Sequence, residues 1–443
     1  MKNYKINIHQ ILFLSVFIIS SDVVFGQKIS RTYKNSSGEW NKNWKFYKVV
    51  KLVDTEGLTR INEPVDIVLS FSVDEVFSPE NEIRVVEKDF RSGEFIEVAS
   101  QVYSLSKSEG ELHVVFLANV LASCEKEYRI YFGNPNAEKP YYKTDLKVRG
   151  NAPQSIVEND FYIIDMTSGT NGSALNKCGQ IRTIAPKMGF NVLFSRRNGY
   201  IHFTPDCSRN VEEENIGVKF MNPPSKVFEV KGPVLYFVYR EGVFTKKDRF
   251  IRFTVIYKFY SSIPYFISET KIELLETAKL RMLRNDEFTF NSKIFTHNAW
   301  KEFNEMIKTN PFPIEREING EIILETDLSY PLWIPANLPW LTFFNAEKGY
   351  GIASIHLDYQ KLGPTGSPGI TQEEGQRIHI GGDRRGSCWS RFIISGEPII
   401  VLKGSKYTEK IAYLLYRIDP EVSRRFKPLE KYNTILRNPL VIK

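Results

Sequence analysis

Five histidines follow the first 26 residues of the 443-residue chain, and three of them sit among residues that could complete an acid–base site. His202 belongs to Arg196-Arg197-Asn198-Gly199-Tyr200-Ile201-His202-Phe203, with Tyr200 two positions before it. On a strand these two would project from one face, giving a proton donor, a proton acceptor and, in Arg196 and Arg197, an anion clamp. His297 lies in Phe295-Thr296-His297-Asn298-Ala299-Trp300, downstream of Arg284. Trp300 could stack on a pyranose face while Arg284 and Asn298 grip a carboxylate. His379 shares a strand face with Arg377 in Arg377-Ile378-His379-Ile380-Gly381-Gly382-Asp383-Arg384-Arg385, and the glycine-rich turn brings Arg384 and Arg385 close. His356, in Ser354-Ile355-His356-Leu357, and His113 alternate like half-buried strand positions and read as structural. The bland counterparts are an exposed basic turn for Tyr200 and His202, a Trp packed into the core for the His297 segment, and a sandwich-rim loop for His379.

Other chemistries lack their residues. There is no Gly-x-Ser-x-Gly elbow and no His-Glu-x-x-His helix. The glycines after His379 lack the Gly-Lys-Ser/Thr ending of a phosphate loop, so no nucleotide cofactor is expected, and no ligand spacing supports a metal. Asp286, Glu287, Asp358 and Asp383 are candidate carboxylates for glycoside hydrolysis, but recognising a pair requires a separation in space.

The elements that must position these residues are strands. Phe46–Val50, Val65–Leu69, Ile83–Val86, Leu112–Phe116, Val234–Arg240 and Phe250–Phe259 are short alternating or apolar runs bounded by Gly, Pro, Asn and Asp. Thr408–Tyr416 is the best helical stretch. Turn residues at Gly133-Asn134-Pro135 and Gly150-Asn151-Ala152-Pro153 divide the chain into an N-terminal β-sandwich at 27–150 and a larger antiparallel β-sandwich at 151–443. The expected class is therefore mainly β. Of the four cysteines, Cys178 and Cys207 could close a loop or remain buried thiols.

Lys2 and Lys5 precede the apolar run Ile11–Ile19, the layout of a cleavable export signal over 1–26. The run is too short for a permanent membrane span, and the mature chain is expected in the periplasm or outside the cell. A net charge of +7, scattered without runs, argues against nucleic acid and is compatible with an acidic oligosaccharide as partner.

The ending Tyr128-Arg129-Ile130-Tyr131-Phe132-Gly133-Asn134-Pro135 resembles a small β-sandwich module of exported bacterial proteins. Asn159-Asp160-Phe161-Tyr162 and the long aromatic strands after it resemble the large sandwich shared by sugar mutarotases and several polysaccharide lyase families. In size, leader, two-sandwich layout and spread of His, Tyr and Arg, the whole chain resembles proteins of ulvan-utilisation systems, among them an oligosaccharide dehydratase. That resemblance implies β-elimination on a uronic acid without a cofactor. The proton α to the carboxylate is removed, positive groups neutralise the enolate, and water leaves the neighbouring carbon to give an unsaturated non-reducing end. A polysaccharide lyase is the same chemistry with a sugar leaving. The catalytic positions to test are Tyr200, His202, His297 and His379; the binding positions are Arg196, Arg197, Arg284, Asn298, Trp300 and Arg377. The alternatives are a non-catalytic glycan-binding protein using Trp300, Trp333, Trp340 and Trp389, and a glycoside hydrolase.

Overall fold

The computed structural model describes residues 31–443 except 38, 73, 90, 106–110, 168–177, 197–198, 203–204, 210–215, 218–223, 244–249, 303, 313, 319–320, 326–330, 365–376 and 384–385. The expected export signal at 1–26, Arg197, Arg384 and Arg385 lie outside the described residues. The chain is mainly β, as expected, and every ladder is antiparallel.

Residues up to Phe132 build a small sandwich. One sheet runs Thr32–Lys34, Phe46–Val53, Glu125–Phe132, Arg84–Lys88, Phe95–Val98; the other runs Arg60–Ser70, Glu111–Val120, Ser100–Tyr103. Alternation sends Val65, Ile67, Leu69, Val114 and Phe116 into the core between them. The opposite positions of the second sheet, Tyr103 and Val115, pack instead on Phe237 and Ile256 of the large sandwich. His113 lies on that same face, with its Nδ1 2.9 Å from Asp66. Burial on both faces explains the unbroken apolar run Val114-Val115-Phe116.

The large sandwich is organised around nine strands in the order Lys226–Lys231, Leu235–Val243, Ile251–Tyr260, Tyr265–Leu274, Lys406–Arg417, Tyr350–Leu362, Trp340–Asn345, His297–Lys301, Ile307–Pro311. Its inner face packs against a four-stranded sheet (Thr183–Pro186, Tyr162–Asp165, Gln154–Glu158, Lys147–Asn151) and a six-stranded one (Ile216–Gly217, Asp206–Ser208, Met282–Phe290, Gly386–Ile394, Arg377–Asp383, Leu332–Pro335).

Thr408–Tyr416 is not a helix: it is the middle of the strand Lys406–Arg417. Tyr407, Ile411, Tyr413 and Leu415 enter the inner core, while Ala412, Leu414 and Tyr416 enter the outer one. With both faces apolar, the period of two disappears from the sequence. The helix lies later, at Lys427–Arg437, where Leu429, Tyr432 and Leu436 cover the outer face of the nine-stranded sheet at helical spacing.

After this helix, Val441–Ile442 returns to pair with Leu52 and Val53 of the small sandwich. The return is pinned by Arg60, buried between Asp54 (2.7 Å) and Glu63 (2.8 Å), whose Nη2 donates to the Asn438 carbonyl at 3.0 Å. Glu63 in turn accepts from the Leu440 amide at 2.9 Å. Removing one partner of such a cluster leaves buried charge uncompensated. Arg60→Ala is therefore expected to cost about 3–5 kcal/mol, read as a lower urea midpoint with faster hydrogen exchange along Lys427–Ile442; an unchanged midpoint would contradict this account.

Candidate functional site

The site begins at a break in one strand. Along Met282–Phe290, Arg284 pairs with Phe392 and Asn285 with Arg391, but the next pair is Phe288 with Trp389. The extra residue is a β-bulge, and Asp286 adopts a left-handed φ of 49°. Two consecutive side chains, Asn285 and Asp286, consequently reach the nine-stranded sheet at Glu409 and Ser354. Arg284 and Glu287 emerge together on the outer face, 2.8 Å apart.

On that outer face Arg284 also holds Asp206 at 3.0 Å, and its guanidinium carbon lies 6.0 Å from the Phe392 ring. Strand register places Trp333 opposite His379 and Arg377 opposite Phe392. Trp333, 44% exposed, meets His379 edge-on at 5.0 Å and Phe392 at 5.3 Å. Gly381 leaves room for this group, since a Cβ there would lie 2.8 Å from the Cys388 sulfur and 3.1 Å from the His379 ring.

Electrostatics separate the roles. Burial pushes the Glu287 carboxyl up to about 7; Arg284 and Arg196 oppose the shift, and Asp206 adds to it. Burial and the nearby Arg284 charge lower the His379 pKa, so its ring is neutral. Burial, with Cys178 and Asp206 adding, raises the Tyr200 phenol well above its ordinary value, so it stays protonated. The face thus offers a carboxyl balanced near neutrality, a neutral imidazole, a protonated phenol and guanidinium groups around an exposed indole.

The structure therefore brings Arg284, Arg377 and His379 together, with Arg196 acting electrostatically on Glu287 and Asp206 on Tyr200, where sequence reasoning gave no role to Asp206 or Phe392 and none specific to Glu287 or Trp333. Arg284 and Glu287, three positions apart, are out of phase on a regular strand, and only the bulge puts them together. His202 and His297 go elsewhere. The His202 ring is 0% exposed, hydrogen-bonded through Nδ1 to Tyr257 and with Nε2 3.3 Å from the Tyr413 hydroxyl. Tyr413 donates to Asp286 at 2.9 Å, as do Ser354 (2.7 Å) and the Trp389 indole (3.0 Å), while His356 Nε2 lies 3.2 Å away. Burial disfavours the Asp286 charge, yet these donors hold its carboxyl below the usual range. His297 stacks on Phe344 at 5.2 Å on the far side of the nine-stranded sheet, and Asn298 and Trp300 are buried. None of the four cysteines is joined in a disulfide, and Cys178 and Cys207 are both buried. Among the described residues, no group of three or more His, Cys, Asp or Glu is placed to hold a metal, and no helix is long and apolar enough to cross a membrane.

No protein-family model matches the chain, and no curated protein is similar to it in sequence. Among solved structures, an alpha-mannosidase from Enterococcus faecalis V583 superposes with a TM-score of 0.54 at 12% identity, over 92% of this chain and 46% of that one. A glycosyl hydrolase family 38 protein from Enterococcus faecalis gives 0.51 at 12%, over 89% and 47%. This chain thus spans about half the length of these two structures. A galactose 1-epimerase from Lactobacillus acidophilus NCFM gives 0.37 at 9%, over 62% of this chain and 99% of that one. At 12% identity the likeness is one of fold, and the fold is one that carbohydrate-active enzymes use.

Burial holds the His202 imidazole neutral, with a pKa lowered to about 3 despite the Asp286 charge. The unfolded chain binds this proton below the ordinary value near 6.5 and the folded chain does not, so stability is greatest above that pH and falls as pH drops toward 3. His202→Phe is expected to flatten the loss by roughly 1.4 kcal/mol per pH unit, one proton's worth. Chemical denaturation at a series of pH values from 4 to 7 measures it, and parallel curves for the two proteins would refute the assignment.

Proposed function

We propose that this chain is an exported carbohydrate-active enzyme that performs β-elimination on uronic-acid-bearing oligosaccharides bound on the outer face of the six-stranded sheet. The observation that carries the reading is Glu287, poised near neutrality against Arg284 and beside protonated and neutral partners. An acidic ring laid over Trp333 can turn its carboxylate toward Arg284, with Arg377 and Arg196 adding positive charge. Glu287 then takes the hydrogen α to that carboxylate, and the C–H electrons form the carbon–carbon double bond. The adjacent C–O bond breaks, and the protonated Tyr200 phenol supplies the proton to the departing oxygen. Arg284 stabilises the enolate charge that builds up in between. Loss of hydroxyl as water makes the enzyme a dehydratase, the version its resemblance to ulvan-utilisation proteins favours; loss of a sugar makes it a lyase.

A second reading, glycoside hydrolysis, has one observation in its favour: Asp206 and Glu287 are a carboxylate pair bridged by Arg284.

Incubation with uronate oligosaccharides is expected to produce ultraviolet absorbance from a conjugated double bond, with mass spectrometry showing loss of water and no chain cleavage. The rate should rise with pH through about 7 as Glu287 becomes an ionised base. Glu287→Gln should lower kcat by about 10²–10⁴-fold while leaving binding largely intact. New reducing ends without absorbance would replace this reading by hydrolysis, and inertness toward every acidic glycan would leave only a binding protein.

A further inference from the structure

We infer that the outer face of the first sheet of the small sandwich is a second glycan-binding surface, which holds a uronate-bearing polysaccharide chain without acting on it. The aromatic and cationic character of this surface stands by itself; only the choice of uronate among acidic sugars rests on the function proposed above.

The two sheets of the small sandwich meet in its core, and the outer face of the second packs on the large sandwich. Among the described residues, no other sheet covers the outer face of the first, whose apolar cluster draws only on this sandwich and the turns beside it. A sheet face left to water ordinarily carries polar side chains in alternation. This one carries aromatic rings. Tyr33, Tyr47 and Tyr131 stand opposite one another across three strands. The Tyr33 and Tyr47 rings lie 5.4 Å apart and 14° from parallel, and Tyr47 lies 5.2 Å from Tyr131. Trp40, from the preceding loop, extends the row 4.9 Å from Tyr131. On the other side Arg129 joins it to Phe95, with its guanidinium carbon 4.8 Å from the Tyr47 ring and 4.3 Å from the Phe95 ring. Tyr33, Trp40, Tyr47 and Phe95 are half-buried, so part of each ring meets solvent.

Charge complementarity selects the occupant. From Arg31 to Lys51 the chain carries six basic residues and one acid, Glu39. Arg129 is balanced by Glu39 and Glu127, and Lys51 by Glu125. Arg31, Lys34, Lys42, Lys45 and Lys88 are exposed, and among the described residues none of them is ion-paired with a carboxylate. Two of these cations flank the row itself: Arg31 lies 4.9 Å from the Tyr33 ring, and Lys88 5.5 Å from the Phe95 ring. Rings fixed in a sheet offer packing surface to the C–H faces of pyranoses, and the surplus cations offer partners to carboxylates carried on the same chain. A neutral glycan would leave the charge unused, and a small carboxylate would leave the length of the row unused. A polymer of acidic sugars meets both, and holding it here keeps substrate near the Glu287 face.

The test is affinity electrophoresis of the full-length protein through gels containing polygalacturonate, with dextran as the neutral reference and dextran sulfate and polyadenylate as polyanions without uronate. Retardation is expected from polygalacturonate above all three. Tyr33→Ala, on a three-residue edge strand, should weaken it by about 5–10-fold. The double variant Arg31→Ala/Lys88→Ala should weaken it too and flatten its dependence on salt. In wild-type protein, polygalacturonate should slow hydrogen exchange along Thr32–Lys34 and Phe46–Val53, which decides the matter even if a variant does not fold. Trp333→Ala strips the platform of the Glu287 face and should keep this footprint, so a failure of the elimination reading leaves the result standing. Equal retardation by dextran sulfate or polyadenylate would reduce the surface to bulk charge and overturn the proposal. Retardation unchanged in both variants, or a footprint absent from these two strands, would overturn it as well.

Discussion

A single buried carboxylate, Asp286, joins the two halves of the large sandwich. Ser354 and Tyr413 donate to it, and His356 approaches it, from the nine-stranded sheet, while the Trp389 indole donates from the six-stranded one. Desolvating a carboxylate costs several kcal/mol, and hydrogen bonds to a charged acceptor return about 1.5–3 kcal/mol each. Several such donors are therefore needed for the charge to survive where it is. They are available only if Asp286 points inward immediately after Asn285 has done so, which an unbroken strand forbids. The bulge and its left-handed residue are the backbone's solution, with the strain offset by the bonds they permit.

The same bulge determines what stands on the opposite face of the strand. By spending an extra residue on the interior, the strand turns Glu287 to the side already occupied by Arg284, and Asp206 completes the group from the neighbouring strand. Burial alone would drive Glu287 further toward its neutral form, and Arg284 alone would hold it ionised. The near-neutral balance arises because burial outweighs the opposing Arg284 charge, with Asp206 adding to the upward shift. The internal network and the external cluster are two sides of one irregularity in one strand.

This explains which parts of the molecule were legible in its sequence. Strands with one wet face or a clear turn at each end were readable, as were the long runs Val234–Arg240 and Phe250–Phe259. Lys406–Arg417 was not, because burial on both faces hides the alternation that distinguishes strand from helix. Site residues were readable as types and not as neighbours. Arg377 with His379 could be paired by periodicity, yet Tyr200 and His202, two apart, have different surroundings because that segment makes only an isolated bridge to Phe288 rather than a regular strand. His297 and Trp300 were assigned one role together, although strand alternation sends them to opposite faces of the nine-stranded sheet. Glu287 needed the bulge, and no local residue pattern announces a bulge.

Layering also argues for where a substrate can sit. The inner face of the nine-stranded sheet is covered by the four- and six-stranded sheets, and its outer face by the small sandwich and the helix Lys427–Arg437. The C-terminal strand, pinned through Arg60, keeps that second cover in place. Polar groups between the layers, however reactive in type, are therefore committed to one another, as His202 is to Tyr257 and Tyr413. The six-stranded sheet differs because its outer face presents the exposed Trp333 indole beside a partly exposed Arg284, which holds the buried Glu287 and Asp206 carboxylates. A sugar-sized ligand needs an apolar platform beside convergent charge at an accessible surface, and this layering leaves Trp333, Arg284 and Glu287 positioned to provide both.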